Sequence, residues 1–320
     1  MNNAFEEALS NSEHSHKGEN FVRIAIIGSG VVGQATGIGF TAQGNKVKFY
    51  DVDRSKLLTL NSKGYEATDD IETAVDDAEV IFVCVPTPTV EKKVELKYIK
   101  ECTKELSEAM KKTSRYKVVA YRSTIPPQTT RLELIPLLES NSDLMAGLDF
   151  GVSMNPEFLR EKTPLEDFLN PTRVVVGSLD DKTASLMKLL YSPFNCPLIF
   201  TDLDTAEMIK YVSNTFLAAK ISFFNEIFMV CQELKIDPKT VSEAVGLDPR
   251  IGYYGIEGGK PFAGMCLPKD LEAFIQFIQS KGINPIILQA IARVNEQMGQ
   301  YCAATQEIKD KTAPTLITVN

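Results

Sequence analysis

Val22-Arg23-Ile24-Ala25-Ile26-Ile27-Gly28-Ser29-Gly30-Val31-Val32-Gly33, residues 22–33, sets the architecture of this chain. An apolar run of strand length meets three glycines and opens at once into Val31–Ala42, a segment that can run as a helix. Between a strand and a helix, such glycines permit a tight turn, close approach of a pyrophosphate and close helix packing, while the first helical amides face the phosphate. The next apolar run, 46–51, ends in Phe49-Tyr50-Asp51. Asp51 follows Gly28 by about 20 residues, the spacing of a carboxylate that binds a dinucleotide ribose. It would repel the 2′-phosphate of NADP, so NAD is the expected cofactor, with Gly28, Gly30, Val32, Gly33 and Asp51 around it.

Further along, apolar runs at 80–85, 117–121 and 172–177 alternate with amphipathic segments, the βαβ rhythm of a parallel sheet. Cys84-Val85-Pro86-Thr87-Pro88 and Ser123-Thr124-Ile125-Pro126-Pro127 follow two of these strands, at the edge where open sheets bind ligands. Beyond position 200 the character changes. Residues 202–235 hold neither glycine nor proline and place Met208, Val212, Phe216, Phe223, Ile227 and Val230 at helical spacing, which predicts one very long helix. Asp202, Asp204 and Glu207 would complement the dipole of its first turns, and Asp237-Pro238 would end it. Further helices are predicted over 238–245, 267–281 and 285–306. The expected organisation is a disordered polar tail (1–20), a Rossmann-like NAD-binding domain of α/β class built on a doubly wound parallel sheet (21–200), and a mainly helical domain on the long helix (201–320). Leaving Phe223, Phe224 and Phe228 in water would cost roughly 1.5–3 kcal/mol each. Burial against a second copy and burial by other helices of the same chain both answer that cost.

With 320 residues, 44% of them hydrophobic, the chain has material for two domains. Its longest apolar runs fall well short of the roughly 20 residues of a membrane span, so no membrane partner is expected. Net charge of −8 and a pI near 5.1 speak against a nucleic-acid partner. Six scattered cysteines without a CxxC pair suggest neither a metal site nor a disulfide framework, and a reducing cytoplasm is the expected setting. Both histidines, His14 and His16, fall in the expected tail, so catalysis would run on Lys, Cys, Asp and Glu.

Lys210 and Asn214 stand four apart on the long helix, where their side chains share a face and can converge on one ligand atom; a solvated polar stripe has the same spacing. Cys266, in Gly264-Met265-Cys266-Leu267-Pro268-Lys269-Asp270, precedes a helix start with Pro268 in its first turn. A helix N-terminus and a nearby lysine lower a thiol pKa from about 8.5 toward neutrality, giving a nucleophile without histidine. A buried, inert cysteine is the other reading.

Taken in order, Gly28 to Gly33, Val85 to Pro88, Ser123 to Pro127, Asn155 to Glu161, Lys210 to Asn214, Lys220 to Glu226 and Cys266 to Asp270 resemble the UDP-glucose/GDP-mannose dehydrogenase family over roughly residues 22–300. The resemblance implies a four-electron oxidation of a nucleotide sugar by NAD, through a cysteine thiohemiacetal and thioester. It makes Cys266 the nucleophile, gives Lys210, Asn214 and an Asp270-held water the sugar oxygen, and lets Glu161 position the hydrolytic water. Thr124 would lie beside the nicotinamide, with Val85, Thr87, Ser123 and Glu161 also at the cofactor and Lys56 assisting Asp51. Glu157, Phe158, Leu159 and Gly264 would border the sugar, and Arg250 would reach a substrate in the partner subunit of a homodimer joined through the long helix.

Three departures accompany this resemblance. Relatives of this kind continue into a further Rossmann-like domain that grips the nucleotide, of which no counterpart is expected within these 320 residues, and Gly259-Lys260-Pro261-Phe262-Ala263-Gly264-Met265 carries proline, alanine and methionine where the family prefers glycines and serine. Gln128 likewise stands where a glycine is usual. UDP-glucose is the leading expected substrate. GDP-mannose or another nucleotide sugar, a two-electron β-hydroxyacid oxidation that does not need Cys266, and an NAD-binding protein without turnover are the alternatives.

Overall fold

The computed structural model describes residues 21–112, 115–264 and 266–312. The tail expected over 1–20, and Met265 of the loop before the cysteine, lie outside them. The chain forms two compact units: one runs to Pro88 and resumes over Val94–Lys210, the other takes in Thr89–Lys93 and the chain from Tyr211 onward. The division thus falls inside the long helix.

In the first unit β1 (Arg23–Ile27), α1 (Val31–Ala42), β2 (Lys46–Tyr50), α2 (Arg54–Ser62), β3 (Glu66–Thr68), α3 (Ile71–Val75) and β4 (Val80–Val83) succeed one another in the expected rhythm. A small ribbon of β5 (Thr89–Val90) and β6 (Lys93–Val94) follows. The chain continues through α4 (Lys97–Lys111), β7 (Val118–Tyr121), a π-helical turn (Thr130–Leu134), α5 (Ile135–Ser142), β8 (Gly151–Met154), α6 (Pro164–Leu169), β9 (Val174–Ser178), α7 (Asp181–Tyr191) and β10 (Leu198–Thr201). Eight strands make one sheet in the order β10-β9-β8-β7-β4-β1-β2-β3. Strand order therefore reverses between β1 and β4, and the glycine turn leaves β1 at that switch point.

Both faces of the sheet are covered, which is why its central strands read as unbroken apolar runs. Ala25, Ile27, Ile81, Val83, Val119 and Tyr121 pack on one face with Leu106, Leu134 and Leu138. Their neighbours Ile24, Ile26, Val80, Phe82, Val118 and Ala120 pack on the other with Phe40, Phe168 and Tyr191. One pairing of this mostly parallel sheet runs the other way. β9 pairs with β8 antiparallel, Ser153 opposite Ser178 and Met154 opposite Gly177, while β10 lies parallel to β9. A parallel neighbour requires a crossover back to the starting edge, and the segment from Asn155 to Arg173, with only the short α6, does not make one.

The second unit is built on α8 (Leu203–Leu234), followed by α9 (Pro238–Gly246), α10 (Leu267–Ser280) and α11 (Ile286–Thr312). Asp237 accepts the amides of Lys239 and Thr240, so the Asp-Pro pair starts α9, whereas α8 has already ended at Leu234, with Lys235 at φ +57°. Ala218, Phe262, Leu271, Ile275 and Ile291 form the core of this unit. Of Phe223, Phe224 and Phe228, Phe224 is buried and Phe228 meets Tyr301 edge-on, but Phe223 is exposed. Val212, Phe216, Phe223 and Val230 remain as an exposed apolar stripe along α8.

Candidate functional site

Gly28 adopts φ +96°, its amide donates to the Tyr50 carbonyl at 2.9 Å, and a Cβ there would stand 2.8 Å from the Cys84 carbonyl oxygen. At Gly33 a Cβ would come within 1.9 Å of the Gly28 oxygen. Gly30, the N-cap of α1, is different: a Cβ would meet nothing within 4 Å. Its missing side chain is not required by the protein's own packing and leaves room for something else. No side chain caps α1 and no acid stands in its first turn, so its orphan amides and dipole suit an anion. Asp51 is buried, accepts the Ser29 amide at 2.7 Å and pairs with Lys56 at 3.0 Å. Val32 is half-buried on α1. The cradle fits a dinucleotide.

This contrast yields a prediction. Gly33→Ala should destabilise the fold by about 1–3 kcal/mol through overpacking, lowering the melting temperature. Gly30→Ala should leave melting unchanged yet weaken NAD binding at least tenfold in calorimetry; equal NAD affinity would mean that no phosphate passes over Gly30.

The two proline-rich turns at the switch edge hold each other. Ser123 Oγ donates to the Val85 carbonyl at 2.6 Å and Thr87 Oγ1 to the Thr124 carbonyl at 2.8 Å. Behind them sits a cluster that sequence reading missed. Buried Arg122 donates to the Asn155 side chain and backbone, and Tyr191 donates to Asn155 Oδ1 at 2.6 Å. An arginine at a strand end carries no local sign that it will be buried; only the partners brought by β8 and α7 make that possible.

Glu157 and Lys210, 53 residues apart, form a buried ion pair: Lys210 Nζ donates to the Glu157 carbonyl at 2.6 Å and to its carboxylate at 2.8 Å. Burial alone would raise the Glu157 pKa, but the Lys210 charge and hydrogen bond, the Leu159 amide and Arg122 outweigh it and hold the carboxyl below its usual range. Phe158 lies beside this pair, with the Arg173 guanidinium 4.0 Å over its ring and Lys210 at 5.5 Å. Glu161 is exposed, in the turn before α6.

In the second unit Asn214 Nδ2 donates to Asp270 Oδ2 at 2.6 Å, and both residues are buried. The Lys269 ammonium is 2.7 Å from the other Asp270 oxygen, outside hydrogen-bonding alignment with it. Cys266 is exposed and is itself the N-cap of α10, with Pro268 in the first turn, so it is not an inert core thiol. Gly264 adopts φ +85°. The altered loop before the cysteine is fastened at both ends of Lys260-Pro261-Phe262: Asn225 donates to the Lys260 carbonyl, while Asn295 accepts the Phe262 amide and donates to its carbonyl. Arg250 is exposed and held by Asp248, at 2.6 Å.

A glycine turn at the switch point of a doubly wound sheet, backed by a buried carboxylate, defines a dinucleotide-binding protein. Comparison with known proteins specifies which. Residues 57–195 match the NAD binding domain of the UDP-glucose/GDP-mannose dehydrogenase family and residues 204–297 match its central domain. The chain belongs to this family, and its cofactor is NAD. It is 36% identical to the UDP-glucose 6-dehydrogenase TuaD of Bacillus subtilis, over 86% of this chain and 63% of that protein. With the GDP-mannose 6-dehydrogenase of Pseudomonas putida it shares 32% identity over 92% of this chain and 73% of the other. A UDP-glucose dehydrogenase structure from Pyrobaculum islandicum superimposes with a TM-score of 0.86 at 33% identity, covering 93% of this chain and 72% of that one. The chain thus spans somewhat under two thirds of the Bacillus relative. Among the described residues no helix is long and apolar enough to cross a membrane, and no group of three or more His, Cys, Asp or Glu is placed to hold a metal ion.

Proposed function

We propose that this protein oxidises the primary alcohol of a nucleotide-linked hexose to the carboxylic acid, UDP-glucose first and GDP-mannose as the alternative. The observation that carries this reading is the set of prepared polar groups: a buried Lys210–Glu157 pair, a buried Asn214–Asp270 pair and an exposed Cys266 at a helix start. NAD, when bound, supplies the hydride acceptor for each of the two oxidations. Gly28, Gly30, Val32, Gly33, Asp51 and Lys56 would hold its adenosine and pyrophosphate, and Val85, Thr87, Ser123 and Thr124 its nicotinamide side.

Lys210, Asn214 and a water held by Asp270 are assigned to stabilising the reacting oxygen and keeping the aldehyde bound. Cys266 then adds its sulfur to the aldehyde carbon, and after the second oxidation the carbon–sulfur bond breaks as water takes the acyl group. Sulfur serves both steps, as nucleophile and as leaving group. Glu161 would position that water, while Glu157, Phe158, Leu159 and Gly264 would border the sugar. NADH absorbance with each nucleotide sugar tests the reading: two NADH per sugar supports it, and silence with all of them overturns it.

The stripe of Val212, Phe216, Phe223 and Val230 on α8 supports a homodimer through this helix, into whose partner Arg250 would reach, releasing Asp248. A Phe216→Glu, Phe223→Glu double variant is expected to sediment as a monomer; a wild type that is already monomeric at working concentrations would rule the dimer out.

A further inference from the structure

Glu207 was expected to complement the dipole of its own helix, but it turns elsewhere. Its side chain is fully buried, and its carboxylate accepts the amide of Thr130 at 2.8 Å and the amide of Gln128, residues 77 and 79 positions away. The π-helical turn beginning at Thr130 has no side-chain cap of its own, so Glu207 supplies one from another helix. Gln128 holds φ +76°, a backbone conformation that costs a non-glycine residue energy and persists only where surroundings enforce it. The same turn starts at Ser123 and Thr124, fastened at that end to Val85 and Thr87. Glu207 also stands one helical turn before Lys210 on α8.

We propose that Glu207 is a positioning residue: by accepting the Gln128 and Thr130 amides it locks the Ser123–Thr130 turn, and Thr124 with it, to the helical turn that carries Lys210. This rests on the reading of Thr124 as a nicotinamide neighbour. Burial pushes the Glu207 pKa up to about 7, outweighing the hydrogen bonds from Thr130 and Gln128 that favour the anion. Asp204 and Arg131 are the charged groups acting on it, and they pair with each other at 2.7 Å. Above neutrality the ionised carboxylate accepts both amides; the protonated form turns one oxygen into a donor and gives up part of the lock.

The test is NAD affinity by calorimetry at pH 8 and pH 6, for wild type and Glu207→Gln, with hydrogen exchange of the peptide containing Gln128 and Thr130 measured alongside. If only the ionised form is competent, wild-type affinity falls roughly tenfold between these pH values and exchange in the turn quickens. Glu207→Gln should bind NAD weakly at both, with a flat profile. Wild-type affinity and exchange that ignore pH, or a variant that reproduces the wild-type profile, would overturn the proposal while leaving the dinucleotide reading intact. Absence of NAD binding at any pH would instead strike that reading, and the exchange data would still decide the lock. Should Glu207→Gln not fold, the wild-type pH profile alone decides.

Discussion

Cys266→Ser is expected to abolish acid formation, by about 10³-fold or more, because loss of a covalent nucleophile removes an interaction made only along the reaction path. The substitution sits at an exposed N-cap, and serine is a favoured capping residue, so stability should hold or rise slightly. The variant should therefore fold, bind NAD and release at most the product of the first oxidation. Acid production in NADH and product assays separates the readings: undiminished activity in the serine variant would remove the thiol from the mechanism and favour a two-electron oxidation.

Lys210→Ala is expected to cost both stability and turnover. It strands the Glu157 carboxylate in the interior, and breaking a buried pair in this way typically destabilises by about 3–5 kcal/mol. The pH dependence fixes the cause. In the wild type the Glu157 pKa is depressed in the folded state, so its contribution is present above the ordinary carboxylate range and is lost as pH falls through the folded pKa. Without Lys210 the first of its causes, burial, is left to dominate and the folded pKa rises above the unfolded value. The variant should then be relatively most stable in acid and lose stability as pH rises through that pKa. Melting temperatures at pH 5 and pH 8 should consequently show a gap between wild type and variant that widens at pH 8; a gap independent of pH would mean that lost packing, not a stranded charge, is responsible.

Much of the molecule could be read along the chain because its causes are local. A glycine turn directly between strand and helix, strands buried on both faces and therefore continuously apolar, and the Asp237-Pro238 and Cys266-Leu267-Pro268 helix starts all lie within a few neighbouring residues, and each was found where expected. Short edge elements such as Glu66–Thr68 and Leu198–Thr201 were not found by this reading. Their few residues hold no complete period, and partner strands define them.

What the chain determined by itself was therefore the cradle for the dinucleotide and the run of the long helix, since missing side chains and apolar periodicity act over distances of one turn or one strand. Tertiary structure decided the polar pairings: Lys210 with Glu157, Glu207 with the amides of Gln128 and Thr130, and Asn214 with Asp270. It also decided the reversal at β9. A polar residue on an amphipathic helix looks the same whether it meets water or a partner, and only the fold, by removing water, makes the choice of partner carry energy.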